Sequence, residues 1–120
     1  MCYVKGDNLN QFGRKRQELA WFVLWSVCKT LVAFRVYNIL HLDLKPSNIM
    51  WDRKNNSVVT IDLGFASLST NGKCCSNSGS PIYFPPDNFA NRDASGDVWS
   101  LGISVWEIAT GINYTTLFPR

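Results

Sequence analysis

The segment HLDLKPSNIM, residues 41 to 50, sets an aspartate, a lysine and an asparagine on one short polar stretch that leads into an apolar run. Lys45 follows Asp43 by two residues and Asn48 follows it by five. A second aspartate, Asp62, opens the triplet Asp62-Leu63-Gly64 nineteen residues after Asp43. A lone carboxylate before a turn is most often a cap that accepts from backbone N–H groups. Asp43 and Asp62 do not stand alone, because a hairpin between them can return both carboxylates to one edge. Two carboxylates and an amide oxygen are hard donors of the kind Mg²⁺ takes, an ion that binds few protein oxygens and completes its shell with water and substrate phosphates. The ammonium of Lys45 adds a cation that can rest on a phosphate oxygen. Together these are the parts of a phosphoryl-transfer site.

The elements that must position them are legible as patterns. Residues 17–36 are apolar almost all round, with Phe22, Trp25, Cys28, Leu31 and Val32 spaced near three and four, which predicts a long buried helix at the centre of a helical core. Pro46 prevents the loop 41–48 from simply continuing a helix. The runs IMW and VVTI flank the turn-rich DRKNNS, so residues 49–61 read as a β-hairpin. Residues 62–87, rich in Gly, Ser, Asn and Pro, read as one long loop. A second apolar helix is predicted over 97–110, with Asp97 as its N-cap and Gly111 as its C-cap. The fold class is α+β and mainly α-helical, a single domain with one small β-hairpin, no internal repeat and no linker.

A chain of 120 residues supports one modest core. It is 46% hydrophobic and 18% charged, with five tryptophans and seven phenylalanines, a composition that excludes disorder of the whole chain. Net charge is +3, and the one dense basic run is Arg14-Lys15-Arg16. With no aromatic residues interleaved, that run reads as the solvated start of a helix in preference to a phosphate or nucleic-acid patch, so no nucleic-acid partner is expected. Cys2, Cys28, Cys74 and Cys75 would permit two bridges but lack the spacing of a disulfide framework, and no signal peptide opens the chain. Free thiols in a reducing compartment, and an intracellular, cytoplasmic location, are the expectation. The apolar segment 19–34 contains Lys29 and falls short of the roughly 20 residues a membrane span needs, so a membrane partner is not expected either.

With these residues in view, the chain resembles the catalytic lobe of eukaryotic-type protein kinases, whose loop reads H-R-D-x-x-x-x-N and whose metal triplet is D-F-G. Residues 1–8, opening MCYVKG, look like the hinge, and HLDLKPSN at 41–48 is similar to the catalytic loop. IDLGFA resembles the metal-binding segment and GSPIYFPPD the end of an activation segment spanning 62–87, while DVWSLG resembles the start of the central helix. The resemblance implies a C-terminal lobe from hinge to central helix with no N-terminal lobe. It also implies ATP and Mg²⁺ as cofactors. Asp43 would orient a substrate hydroxyl and accept its proton, Lys45 would stabilise the transferred phosphoryl, and Asn48 and Asp62 would hold Mg²⁺. The carbonyl of Cys2 and the amide of Val4 would meet adenine's edge, with Asp7 or Asn8 near the ribose. Met50 would lie under the adenine ring, though it serves as well as plain core. His41, Ser80 and Asp97 would support the site: Ser80 could bond Asp43, and Asp97 would accept from the backbone of the catalytic loop or act simply as a cap. Lys45-Pro46-Ser47 resembles the serine/threonine members of the family.

The pattern departs from the family in several places. Leu42 stands where the family often has an arginine that pairs with a phosphate on the activation segment, so switching by a phosphorylated Ser69, Thr70, Ser76 or Ser78 is not expected. Leu63 replaces a phenylalanine, and Pro86-Asp87 replaces Pro-Glu. No Gly-rich loop, strand lysine or helix glutamate precedes the hinge, since Met1 already falls there. Positioning can supply ~7 to 11 kcal/mol in ideal cases. A general base contributes ~10² to 10⁴ in rate and only on a substrate already held. The expectation is therefore ATP-dependent phosphoryl transfer to protein Ser/Thr when the lobe is part of a complete kinase, with the 120 residues inactive alone. The alternative is a catalytically inactive lobe acting as an interaction or inhibitory module for another kinase. The partners are a protein substrate or another kinase.

Overall fold

The computed structural model describes residues 7–9, 13, 15–61, 66–68, 73–74, 81–85 and 92–117. Two helices form its frame: α1 (Gln17–Val36) and α2 (Ala94–Thr110), which pack against each other. Among the described residues, three small antiparallel sheets accompany them. Strand β1 (Asp7–Asn8) pairs with β3 (Ile49–Asp52), which forms a hairpin with β4 (Ser57–Thr60). Strand β2 (Ile39–Leu40) pairs with β5 (Ser67–Leu68), and β6 (Lys73–Cys74) with β7 (Arg92–Asp93). A short helix, α3 (Tyr114–Leu117), follows α2.

The hairpin turn is built by Asp52. Its Oδ1 accepts from the backbone N–H groups of Lys54 and Asn55 at 3.1 and 3.3 Å, and its Oδ2 accepts from Asn55 Nδ2 at 2.7 Å. The Asn55 side chain, followed by its backbone N–H, holds the Asp52 carboxyl below the usual carboxylate range. Asn56 closes the turn at φ 48, a left-handed conformation that asparagine tolerates better than most residues.

Helix α1 departs from the sequence reading in its burial. It buries the stripe Ala20, Val23 and Val27, with Leu19, Leu24 and Leu31 packed at its edges. Trp21 (71% exposed), Trp25, Val32 and Val36 (72%) face outward, and Cys28 is exposed too. The helix is therefore not buried all round, because α2, β4 and β2 cover one side of it. Lys29 Nζ lies 4.2 Å from the centroid of the Trp25 ring, a cation–π contact on the outer face. By length and composition α1, at 20 residues, is long and apolar enough to cross a membrane, where the shorter segment read from the sequence was not.

Helix α2 begins three residues earlier than the sequence suggested. Asp93, in an extended conformation, is its N-cap and accepts from Ser95 N at 3.0 Å, while Asp97 sits buried inside the first turn. Ser100, Ser104 and Thr110 each return their hydroxyl to the carbonyl four residues back, which satisfies these polar groups within a largely buried helix. Gly111 ends the helix at φ 73, the left-handed conformation that glycine adopts without a Cβ penalty.

The core cluster joins Leu9, Ala20, Val23 and Val27 to Leu101 and Ile108, and to Leu44 and Ile49. The last two belong to the loop 41–48 and its exit, so the polar segment is sewn into the core by its own apolar residues.

Candidate active site

Residues 41–48 run from β2 to β3, closing with a 3₁₀ turn at Pro46–Asn48. Although the loop is rich in polar groups, His41, Leu42, Asp43, Leu44, Pro46 and Asn48 are all buried. Buried backbone groups need partners, and two come from α2: Asp97 Oδ2 accepts from His41 N at 2.8 Å, and Oδ1 accepts from Leu42 N at 3.0 Å. Leu42 adopts φ 68. A left-handed conformation at a non-glycine residue costs about 1–3 kcal/mol. Hydrogen bonds to a charged group contribute about 1.5–3 kcal/mol each, enough to offset it.

The turn at Leu42 brings the chain back on itself. Asp43 N donates to His41 Nδ1 at 3.2 Å, which places the neutral imidazole's own proton on Nε2. The imidazole is stacked on Phe34 of α1, with ring centroids 6.3 Å apart and planes at 12°. Asn48 Nδ2 then donates to both the carbonyl oxygen of Asp43, at 2.7 Å, and its Oδ2, at 3.1 Å. Lys45 Nζ stands 3.8 Å from Asp43 Oδ1. Both carboxylate oxygens of Asp43 thus have fixed neighbours, one an amide and the other a cation that is partly solvent-exposed.

The hairpin supplies the remaining connection. Ile61 N donates to Asn48 O at 2.8 Å, so the residue before Asp62 is tied to the end of the loop. Asn8 and Met50 are register partners across β1 and β3, and Met50 is half-buried. The structure therefore brings His41, Asp43, Lys45, Asn48 and Asp97 together and sets Met50 opposite Asn8. Cys2, Val4, Asp62 and Ser80 lie outside the described residues.

A second polar assembly on α2 escaped the sequence reading. Glu107, buried, accepts from Tyr83 OH on Oε1 at 2.6 Å and from Tyr114 N on Oε2 at 2.8 Å. Ser100 Oγ donates to the carbonyl of Tyr83 at 2.6 Å. The 3₁₀ turn Pro81–Tyr83 is therefore clamped to the same helix that holds the loop 41–48. Burial, and then the Glu107 carboxylate, push the Tyr83 phenol well above its ordinary value. The available signal was a glutamate isolated in the apolar stretch SVWEIA, since a charge in such a run must find a partner.

An aspartate, a lysine and an asparagine converge on a loop held by a helix aspartate, in a chain whose sequence also matches known proteins. The chain belongs to the protein kinase domain family, which matches residues 1–117. Among its relatives are the serine/threonine-protein kinase ATG1b of Arabidopsis thaliana, 31% identical over 118 residues that make up 91% of this chain and 17% of the relative. The serine/threonine-protein kinase ULK3 of Xenopus laevis is 32% identical over 117 residues, 91% of this chain and 25% of the relative. The probable serine/threonine-protein kinase HSL1 of Saccharomyces cerevisiae is 40% identical over 79 residues, 62% of this chain and 5% of the relative. The chain thus spans a quarter or less of the length of these relatives.

Two outcomes follow from the site's geometry. Asp97→Ala leaves the buried N–H groups of His41 and Leu42 without their acceptor and should lower stability by about 2–5 kcal/mol in urea unfolding, with Asp97→Asn losing less. Tyr83, raised in the folded state, keeps its proton where an unfolded tyrosine loses it. The unfolded chain therefore binds fewer protons above pH 10.0, the ordinary tyrosine value, and stability should fall as pH rises through that value. Tyr83→Phe should flatten this alkaline slope, and an unchanged slope would show that the phenol is not the group responsible.

Proposed function

We propose that the chain forms the catalytic-loop half of a protein serine/threonine kinase site and acts in transfer of the γ-phosphoryl group of ATP to a serine or threonine hydroxyl of a protein. The observation that carries this reading is the buried Asp43 carboxylate, held at Oδ2 by Asn48 Nδ2 and faced at Oδ1 by Lys45. A general base must be fixed before its basicity is useful, and this carboxylate is held by Asn48 and paired with Lys45. Asp43 orients the acceptor hydroxyl and takes its proton. Lys45, the partly exposed member, reaches toward the transferred phosphoryl.

The donor set fits Mg²⁺. Asn48 spends both Nδ2 hydrogen bonds on Asp43, which leaves its Oδ1 as a hard oxygen donor beside that carboxylate. Asn48 with Asp62 would hold the ion, which when bound neutralises charge on the phosphate oxygens. For the nucleotide, the pairing of Asn8 with Met50 supports a ribose and adenine position along β1 and β3, with Cys2 and Val4 at adenine's edge. The lobe assignment, hinge to central helix, is part of the same proposal, with α2 as the central helix.

The rival reading is a non-catalytic lobe that binds another kinase. The outward stripe of Trp21, Trp25, Val32 and Val36 favours it, since contiguous exposed apolar surface marks partner sites.

Labelled ATP, Mg²⁺ and a mixed serine/threonine peptide substrate, supplied to the protein in its native context, separate the two. Phosphoryl transfer should fall by about 10² to 10⁴ in Asp43→Asn. It should be abolished in Asp62→Asn. Transfer that survives Asp62→Asn removes the site assignment, whereas partner capture by a non-catalytic lobe would be indifferent to it.

A further inference from the structure

The outward face of α1 has an order that its apolar character alone does not show. Glu18, Trp21, Trp25, Cys28, Val32 and Arg35 follow one another at intervals of three and four residues, and all six are exposed. That alternation is the spacing of a coiled-coil seam, which runs down one face of a helix. The opposite face, with Ala20, Val23 and Val27, is packed in the core. Lys29, whose ammonium rests 4.2 Å from the centroid of the Trp25 ring, borders the seam as flanking cations do in coiled coils.

The order is also self-complementary. About a two-fold axis midway between Trp25 and Cys28, an antiparallel second copy sets its Arg35 opposite Glu18, its Val32 opposite Trp21 and its Cys28 opposite Trp25. Each layer then joins unlike charges or a large side chain with a small one, and the two-fold repeats all of them. A parallel pair would set Glu18 on Glu18, Arg35 on Arg35 and each tryptophan on its own copy, with like charges at both ends.

Area agrees with this occupant. Trp21 is 71% and Trp25 61% exposed, so at ~250 Å² for a whole tryptophan the tryptophans of two copies present roughly 650 Å². That is about half of the ~1,200 Å² at which stable interfaces begin, before Cys28, Val32, Val36 and the charged ends are counted. The helix is already ordered by its inner face, so pairing does not have to fold it, as association of short isolated helices must.

We infer that α1 pairs two copies of this chain antiparallel through the seam formed by Glu18, Trp21, Trp25, Cys28, Val32 and Arg35. Glu18 and Arg35 fix direction and register, and the tryptophans fill the space beside Val32 and Cys28. The pairing uses none of the residues assigned to phosphoryl transfer, and it gives the outward stripe an occupant other than a different kinase.

Sedimentation equilibrium of the full chain tests it, under reducing conditions so that Cys28 cannot link the copies covalently. The mass should rise with concentration from 13.6 kDa to twice that value. Glu18→Arg and Arg35→Glu should each weaken association by about tenfold or more, because each sets like charges at both ends of the pair. Mixed together, these two variants should associate as the unaltered chain does, since their seams are opposite in charge, and the double variant should regain self-association. Glu18 and Arg35 are exposed, and unchanged far-UV circular dichroism checks that each variant is folded. A monomer at every concentration, indifference to both single reversals, or failure of the two variants to associate on mixing would overturn the inference. A monomer that instead floats with anionic phospholipid vesicles would overturn it in favour of a lipid surface.

Discussion

A single carboxylate inside α2 receives two consecutive backbone N–H groups from the loop that carries the candidate chemistry. Asp97 is buried, and a buried carboxylate without partners would be strongly unfavourable, so its hydrogen bonds to His41 and Leu42 satisfy both sides at once. They also hold Leu42 in a left-handed conformation that the residue would not choose by itself. That reversal allows Asp43 N to bond back to His41 and sets Asp43 within reach of Asn48 and Lys45. The same helix binds Tyr83 through Glu107 and Ser100. Helix α2 is therefore a common support for the loop 41–48 and the turn 81–83, and displacing it would move both.

Local chemistry explains why some of this could be read from the sequence. Pro46 and the turn-forming DRKNNS fix a loop and a hairpin within narrow limits, and Gly111 stops α2 because only glycine enters that conformation freely. Asp97 drew two readings, a helix cap and an acceptor for the loop backbone, and the hydrogen bonds found are those of the second. The cap is Asp93, four residues earlier; both aspartates precede helix-compatible residues, so only the tertiary partner tells them apart.

Other features depend on contacts that no local pattern encodes. Periodicity marks α1 as apolar all round but does not say how many of its faces have neighbours, and Trp21 and Trp25 ended outward while the small Ala20 turned in. The Glu107–Tyr83 bond joins residues 24 apart across an irregular segment.

The most direct measurement is residue-resolved amide hydrogen exchange at His41 and Leu42. If Asp97 organises the loop, these two amide protons exchange as slowly as those in the interior of α2, and both become fast in Asp97→Ala while the amides of α1 stay protected. Rapid exchange at His41 and Leu42 in the unaltered protein, at rates typical of an open loop, would contradict the claim that this carboxylate holds the site together.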